Sequence, residues 1–427
     1  MGANFTNVTP ALKENVAKTA KDILFDVKKM SPLFAHIQAK SGKYDAGGRK
    51  FVAPIRYGRG SSVGATFATT QTKASGSTTG SSVLYDRWEV PAVQLHATAN
   101  FDRLVLDDIQ GDSALFDFAQ EEIDMKMELI RLELMKNLTT LGWGEIAKLS
   151  AVTATTITVP TNLVNRLMVG DDIQASSAIS TALLRNSGTA LTITAIDPDT
   201  GIVTTSSNPT TAGYAVNDYI FRDGNRQNSA TPARIMPLGL GAWLTDSINA
   251  PGVSDSFCNI NRYGNWQTGG HRMSGASVAV KTLLLKAAAR LRKFTVGGKI
   301  KCFLSTGDFT TLCDSLDTSA VATKQVEMKS PYYNIGWDAL ALRTPGGTIE
   351  ISDDPLIADG DGFMGEFDEP ENLYLIYSQN LVNLDDNDGN AFLRGATTTT
   401  YEARMYSVLN LVCPAPGKFL RLYGVGT

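Results

Sequence analysis

The sequence predicts an α+β protein that carries an inserted all-β module. Three observations indicate this fold class. An apolar stripe at helical spacing marks one long helix at about residues 113–141. A run of short strands rich in Thr, Ala, Ile and Val follows at 145–225. A helix–strand–helix succession at 277–317 then indicates a mixed core in the host.

Composition places the chain among globular proteins. It has 427 residues, enough for two or three domains, and its 43% of hydrophobic residues argues against wholesale disorder. The formal net charge of −4 gives no electrostatic footprint of sequence-specific nucleic-acid binding. There is no long apolar run, so we expect no membrane span and no secretory signal.

The four cysteines predict neither a metal site nor a redox motif. They are Cys258, Cys302, Cys313 and Cys413, and none of them forms a C-x-x-C pair. Cys302 and Cys313 lie in apolar sequence and are expected to pack as small hydrophobic side chains.

Residues 1–46 are predicted to form an N-terminal arm, helical within 11–38. Val16, Ile23 and Val27 fall on one helical face, with lysines mostly off it. Pro32 is expected to end this helix. A helix with one apolar face must dock on its own fold or on a neighbour. We therefore take these three side chains as candidates for contacts in an assembly.

Residues 47–100 are predicted to form an extended loop built on a β-ribbon. Two strand-like stretches, RKFVAPIR (49–56) and YDRWEVPAVQLHAT (85–98), enclose a segment made mostly of Gly, Ala, Ser and Thr at 58–82. Pro91 indicates an edge strand or a bulge. A two-stranded ribbon is marginal alone, although each limb could reach ~60 Å. Within it, Phe67, Lys73 and Trp88 are further contact candidates, with core packing the favoured role for Trp88.

The next part, 101–144, is predicted to hold the long helix, ~40 Å in length. Its stripe consists of Phe116, Ile123, Met127, Ile130, Leu134 and Leu138. Glycines at 142 and 144 stop the helix. We interpret the stripe as core and not as a cofactor site.

The module at 145–225 is predicted to be a small barrel or sandwich. Its clearest strands are AVTATTITV (151–159), DDIQA (171–175) and a hairpin that turns at 197–201. Residues 226–395 are predicted to form a further domain with a helix at 277–294, a buried strand in KIKCFLS and a short helix after it. Residues 396–427 supply closing strands.

A G-x-S-x-G motif surrounds Ser62. As a nucleophile elbow it needs a strand before it and a helix after it. The chain continues instead through ATFATTQTKASG, which does not favour a helix. A hydrolase would also need His96 or His271 to reach the serine. We interpret the motif as a chance match in a Gly/Ser-rich segment.

An acidic run extends from Asp353 to Glu371 without Lys or Arg. Carboxylates at this density could hold Ca²⁺, but their spacing fails the EF-hand loop and the intervening Gly and Pro indicate solvated turns. We therefore predict no catalytic residue, no cofactor and no metal. The basic residues Arg290, Arg292 and Lys293 favour the dipole at a helix end, with a phosphate or nucleic-acid contact as the second interpretation.

The order of these parts resembles the major capsid protein of tailed bacteriophages, the Hong-Kong-ninety-seven-type shell fold. Three stretches carry the resemblance: FVAPIR, a Gly/Ser-rich tip and WEVPAVQLHATANFDRLVLDDI before the long helix; TIEISDDP followed by GDGFMGEFDEPENLYLIYS; and YEARMYSVLNLVCPAPGKFLRL. The resemblance covers most of the chain except 145–225. It implies that the long helix is the spine of a peripheral domain, and that 226–395 is an axial domain.

This resemblance implies a structural, non-enzymatic function. Subunits of that family form hexamers and pentamers that tile an icosahedral shell around double-stranded DNA without reading its sequence. The ribbon would lie over the adjacent subunit, and the arm would dock on a neighbour. A separate scaffold protein, a portal and possible decoration proteins are the implied partners. The implied location is the virion capsid, with assembly in the host cytoplasm.

Two alternatives remain at this stage. One is another phage structural subunit, of a tail or fibre, which the long helix and the mixed core disfavour because fibres are repetitive and β-rich. The other is a serine hydrolase that uses Ser62.

Overall fold

The computed structural model describes most of the chain between residues 31 and 426. The described ranges are 31–42, 50–58, 66, 84–101, 112–244, 256–262, 265–294, 299–317, 324–325, 340–344, 347–378, 383–384, 393–394 and 401–426. Helices alternate with three large sheets, which confirms the predicted α+β class.

The described chain begins with a short helix, α1 (Pro32–Ala35), and a strand, β1 (Gln38–Ser41). Pro32 starts α1, and the residues before Ser31, where the predicted helix would end, lie outside the described residues. Ser31 is extended and its side chain accepts a hydrogen bond from the Phe34 amide, as an N-cap does. Proline suits the position after a cap because its missing N–H has no partner there anyway. Of the helix predicted within 11–38, residues 11–30 lie outside the described residues, and 31–38 contain only the short helix α1 before β1.

The two ribbon strands form as predicted, as β2 (Lys50–Gly58) and β3 (Leu84–Pro91). They pair antiparallel from Lys50–Pro91 to Gly58–Leu84. The second predicted strand, however, is divided. It stops at Pro91 and resumes as β4 (Val93–Phe101), which belongs to a different sheet. Pro91 therefore marks a corner between two sheets.

The long helix is α2 (Asp112–Leu138), with 27 residues. Ile123, Met127, Ile130, Leu134 and Leu138 are buried along it, which confirms these members of the stripe as core. The side chain of Phe116 lies outside the described part of the helix. Gly142 and Gly144 follow the helix with positive φ angles of 76° and 77°, a conformation that glycine adopts readily.

The region after α2 folds as a seven-stranded antiparallel sheet with its own apolar core. The strands are β5 (Glu145–Lys148), β6 (Ala151–Val152), β7 (Thr156–Thr158), β8 (Asp172–Ser176), β9 (Leu191–Asp197), β10 (Ile202–Thr205) and β11 (Tyr219–Arg222). Their spatial order is β5-β11-β8-β9-β10-β7-β6. Short 3-10 helices lie at Thr161–Arg166 and Arg185–Gly188.

The hairpin predicted in this region is confirmed. β9 and β10 pair, and the amide of Gly201 donates to the carbonyl of Asp197 at 3.0 Å. The stretch 151–159 differs from its prediction, because it makes two short strands that pair with each other and not one long strand.

A connecting region leads to a second seven-stranded sheet. It contains α3 (Leu240–Trp243), β12 (Ser256–Phe257), β13 (Ile260–Asn261) and α4 (Trp266–Gly269). The sheet has the order β14-β24-β19-β15-β18-β17-β16. Its elements are β14 (His271–Ser274), α5 (Val280–Arg292), β15 (Ile300–Leu304), α6 (Thr306–Asp317), β16 (Lys324–Gln325), β17 (Leu340–Thr344), β18 (Gly347–Asp353), β19 (Asp361–Gly365) and, later in the chain, β24 (Phe419–Tyr423).

Alternation along β15 shows how this second sheet is covered on both faces. Cys302 and Leu304 share a core with α5 and α6, whereas Phe303 shares the core of α2 and the ribbon base. Cys313 packs against the same core as Cys302, so the prediction for these two cysteines is confirmed.

The third sheet joins distant parts of the chain around one strand. β20 (Tyr374–Tyr377), β21 (Asn383–Leu384) and β22 (Leu393–Arg394) precede the 12-residue β23 (Tyr401–Val412). β23 pairs with these three strands and with β4, and β20 pairs in parallel with β1. A 3-10 helix at Pro416–Lys418 then leads into β24. Among the described residues, no helix is long and apolar enough to cross a membrane.

Candidate assembly elements

The ribbon of β2 and β3 has one face on the subunit body and one face outward. Phe51, Ala53 and Ile55 are buried at alternate positions. Val52 is 36% exposed and Tyr85 is 69% exposed on the outward face. Among the described strands, β2 and β3 pair only with each other. The ribbon therefore depends on its base, and on any neighbour it meets, for stability.

An aromatic cluster anchors the base of the ribbon. Trp88 has no exposed surface and meets Trp243 edge-on, with ring centroids 5.1 Å apart and an interplanar angle of 81°. Phe257 lies against both tryptophans, at 6.4 Å from Trp88 and 5.0 Å from Trp243. The indole N–H of Trp88 donates to the carbonyl of Pro414 at 3.4 Å. Of the two roles considered for Trp88, its burial supports core packing.

Polar contacts around Glu89 also hold the base of the ribbon in place. Glu89 accepts a hydrogen bond from the Lys50 ammonium at 2.9 Å across the ribbon, and Arg87 lies 3.3 Å from its other carboxylate oxygen. The hydrogen bond from Lys50 is the main reason that the pKa of Glu89 is lowered. The Glu89 amide donates to the carbonyl of Cys258 at 3.0 Å. The ribbon is thus fixed to the β12–β13 segment.

The remaining contact candidates are not placed. Val16, Ile23, Val27, Phe67 and Lys73 all lie outside the described residues. Their assembly roles stay predictions.

A groove of about 950 Å³ opens beside the ribbon base. Its floor and walls come from β4, from the middle of α2 and from the chain just after β11, including Gln94, His96, Lys126 and Asn225. It contains both apolar and charged side chains.

A buried charge network joins the inserted sheet to α2. The Arg222 guanidinium, at the end of β11, bonds the Glu133 carboxylate at 2.9 Å and the Asp171 carboxylate at 2.8 Å. The Asn225 side-chain amide donates to the other Glu133 oxygen at 2.5 Å. A paired guanidinium between two carboxylates fixes orientation as well as distance. The inserted sheet is therefore held rigidly on the helix.

A second set of contacts closes the C-terminal end of α2. The ammonium of Lys136 donates to the carbonyl of Arg166 at 2.5 Å. The Arg166 guanidinium donates to the carbonyls of Ile146 (3.1 Å) and Leu356. Desolvation by burial lowers the pKa of Lys136 to about 8, more than the nearby Glu133 carboxylate raises it. Lys136 and Arg166 could not be identified from the sequence, because nothing in their spacing distinguishes them from ordinary surface charges.

The described part of the predicted arm, residues 31–42, is fixed to the loops and strands of the second sheet. The buried Asp354 carboxylate accepts hydrogen bonds from the Ser31 hydroxyl and from the Leu33 amide, the latter at 3.1 Å. Burial raises the pKa of Asp354. His36 lies 3.2 Å from Asp368, which also pairs with Lys301 at 3.0 Å. The described chain is therefore fixed to the rest of the fold from Ser31 onward.

The acidic run is largely engaged within the fold. Besides Asp354 and Asp368, the Asp361 carboxylate pairs with Arg421 at 3.0 Å, and Glu366 with Lys418 at 3.2 Å. Among the described residues no group of three or more His, Cys, Asp or Glu side chains is placed to hold a metal ion. The description of the run as solvated turns was therefore incomplete, because several of its carboxylates are structural partners.

The residues of the hydrolase alternative are only partly placed. Ser62 lies outside the described residues. His96 is on the exposed face of β4, with its ring 6.4 Å from that of Tyr406, whereas His271 is buried on β14 in a different sheet.

Comparison with solved structures returns shell proteins. The chain is 10% identical to the cyanophage A-1(L) capsid asymmetric unit, with 93% of each chain covered and a TM-score of 0.49. It is 9% identical to the capsid of the native GTA particle, covering 92% of this chain and 89% of that one, with a TM-score of 0.40. For the virus-like particle from Pyrococcus furiosus the identity is 9%, the coverages 95% and 98%, and the TM-score 0.37.

No protein-family pattern matches the sequence, and no curated protein matches it. The likeness to solved structures concerns backbone arrangement and assigns no role to an individual residue of this chain.

Replacing Trp88 by Ala is expected to lower the free energy of unfolding of the subunit by about 3–5 kcal/mol, because it leaves a cavity between Trp243 and Phe257. Tyr85→Ala, on the same strand but 69% exposed, should change it by no more than about 0.5 kcal/mol. Chemical denaturation of the unassembled protein measures both. Equal, small effects would contradict the assignment of Trp88 to the core.

Because the pKa of Lys136 is lowered in the folded protein, the free energy of unfolding is expected to depend on pH. Its pKa is about 8 in the folded protein against an ordinary 10.5, so the unfolded chain binds more protons between these values. The stability of the native protein relative to Lys136→Met should therefore rise with pH from 8 to 10.5, by roughly 3 kcal/mol at most. Denaturation curves at several pH values test this, with the exposed Lys148→Met as control. A flat difference would show that Lys136 is not desolvated.

Proposed function

We propose that this chain is the major capsid protein of a tailed bacteriophage, a structural subunit that assembles into hexamers and pentamers of an icosahedral shell around double-stranded DNA. The observation that carries the proposal is the ribbon of β2 and β3. It is anchored at one end by Trp88 and forms a sheet with no other described strand. Such a ribbon gains stability when its outward face meets another subunit.

The outward face of the ribbon has the composition of a contact surface. Val52 and Tyr85 are large exposed side chains on it, and Arg56 is paired with Tyr85 in the register. Aromatic and arginine side chains are enriched in protein–protein interfaces. The ribbon thus offers a neighbour both apolar area and charge.

The groove beside the ribbon base is the surface that we propose receives a neighbour. It differs from the ribbon's outward face, so a contact between the two is head-to-tail. Head-to-tail contacts close into rings when the rotation between subunits permits. Rings of five and six are the units of the proposed shell.

Polar contacts that fix parts of the fold to one another support a role as a rigid repeating unit of a shell. Glu133, Arg222 and Asp171 hold the inserted sheet on α2, and Asp354 holds Ser31 and Leu33 against the rest of the fold. We propose that the arm docks on a neighbour and that the insertion at 145–225 stabilises capsomers from outside. The same proposal includes the other divisions of the chain: the arm at 1–46, the extended loop at 47–100, the peripheral domain with its spine helix at 101–144, the axial domain at 226–395 and the closing strands at 396–427.

The proposed role is non-enzymatic and its location is the virion, after assembly in the host cytoplasm. A scaffold protein, a portal and possible decoration proteins are proposed partners. A tail or fibre subunit remains the second candidate only if the protein forms open filaments and not closed shells.

The purified protein, alone or co-expressed with its scaffold protein, should form rings of five or six subunits, tubes or shells by negative-stain electron microscopy and light scattering. The double variant Val52→Asp, Tyr85→Asp should remain folded, with an unchanged melting temperature, but should no longer assemble. Two buried carboxylates at a ribbon contact would lack partners.

The matched control is Thr282→Asp, Ala289→Asp, which adds the same two carboxylates at exposed positions of α5, outside the ribbon, the groove and the insertion. It should assemble as the native protein does. A native protein that stays monomeric even with its scaffold protein, or a ribbon variant that forms normal shells, would contradict the proposal.

A further inference from the structure

Charge is strongly segregated along this chain. Residues 256–307 contain no Asp or Glu, although the whole chain has a net charge of −4. The cations within this stretch are Arg262, Arg272, Lys281, Lys286, Arg290, Arg292, Lys293, Lys299 and Lys301. A mildly acidic protein therefore carries one distinctly basic region, whose centre is the helix α5.

Every charged residue of α5 is a cation. The helix buries Val280, Leu283, Leu284, Ala287, Ala288 and Leu291 toward the second sheet. Lys286, Arg290 and Lys293 are exposed at spacings of four and three residues, which places them in one row. We call these three residues the cation row. It is ~10 Å long at the rise of an α-helix.

The helix dipole does not explain this pattern. It favours cations in the last turn, where Arg290 and Arg292 lie, but disfavours Lys281 in the first turn. Like charges four residues apart, as in Lys286 and Arg290, also destabilise a helix slightly. A polyanion bound along the row would offset that repulsion.

An exposed aromatic pair lies at the end of the cation row. Trp266 is 39% exposed and Phe294 is 38% exposed, with ring centroids 4.7 Å apart. The buried His271 ring supports both, stacked on Trp266 at 5.7 Å and 4.4 Å from Phe294. The Arg290 guanidinium donates to the carbonyl of Arg272, the residue that follows His271, at 3.1 Å. The cation row and the aromatic pair thus form one continuous surface.

The cations of this surface act on the buried His271 ring. Its pKa is lowered to about 4, first by burial and then by the charge of Arg290. His271 is therefore neutral near pH 7. The positive charge of the surface therefore comes from its Arg and Lys side chains and not from His271.

We propose that the cation row and the Trp266–Phe294 pair form a contact surface for nucleic acid that does not depend on base sequence. The row would contact backbone phosphates, and Trp266 would stack on an unpaired base, since every base has a π face. An acidic polypeptide would satisfy the cations but would leave the aromatic pair without a planar partner. This surface is independent of whether the chain builds a shell.

The test measures binding of the unassembled full-length protein to labelled single strands and duplexes of about 20 nucleotides by fluorescence anisotropy, over a range of salt. The triple variant Lys286→Gln, Arg290→Gln, Lys293→Gln should bind single strands at least ~10-fold more weakly at low salt. Its slope of log affinity against log salt should be smaller by about 2, for three lost phosphate contacts.

The matched control is Arg56→Gln, Lys148→Gln, Arg404→Gln, which removes three exposed cations elsewhere and gives the same net charge. It should bind within about twofold of the native protein. Trp266→Phe should keep the affinity but lose the quenching of tryptophan fluorescence by a bound strand. Trp266→Ala should weaken the binding of single strands and leave the binding of duplexes unchanged.

Three results would overturn the proposal. The first is no binding at low salt. The second is an equal loss in the triple variant and its control, which would make the effect one of net charge. The third is competition by polyglutamate of equal length that is as strong as competition by an unlabelled strand, which would assign the surface to an acidic polypeptide.

Discussion

The packing of Trp88 between the ribbon and the subunit body is the interaction on which the rest of the architecture depends. A two-stranded ribbon does not hold its own position in water. Here its base shares one apolar core with α2, with β4 and with the aromatic residues Trp243 and Phe257. Because Pro91 turns the chain from β3 directly into β4, the same few residues fix the ribbon's direction and begin the sheet beneath α2. The ribbon is thus continuous with the rigid part of the subunit.

Polar contacts in and around the core add to the apolar packing in fixing how the parts of the fold are arranged. Arg222 joins Glu133 of α2 to Asp171 of the inserted sheet, and Lys136 and Arg166 close the end of the helix. Removing one member of such a network leaves its partners buried and unpaired, which costs more than the contact gains. Networks of this kind specify one arrangement of the parts.

The sequence was informative where one periodicity dominated. The α2 stripe, the ribbon strands, the hairpin at 197–201 and the α5–β15–α6 succession all follow from local patterns and are present. A local pattern was incomplete where one residue type has two uses. Proline can end one helix and begin the next, and the cap made by Ser31 shows that Pro32 begins α1. The Glu133–Arg222–Asp171 network joins residues 89 and 51 positions apart, a distance over which spacing carries no signal. The acid-free stretch around α5 was visible in the sequence, but its exposed row and aromatic pair were not.

The most direct test of the central claim is a cryo-electron microscopy reconstruction of the assembled particle at a resolution that traces β2 and β3. The account predicts rings of five and six subunits in which each ribbon, with Val52 and Tyr85 outward, lies over the adjacent subunit. A reconstruction in which the ribbon contacts only its own subunit, or in which subunits stack into an open filament, would contradict it.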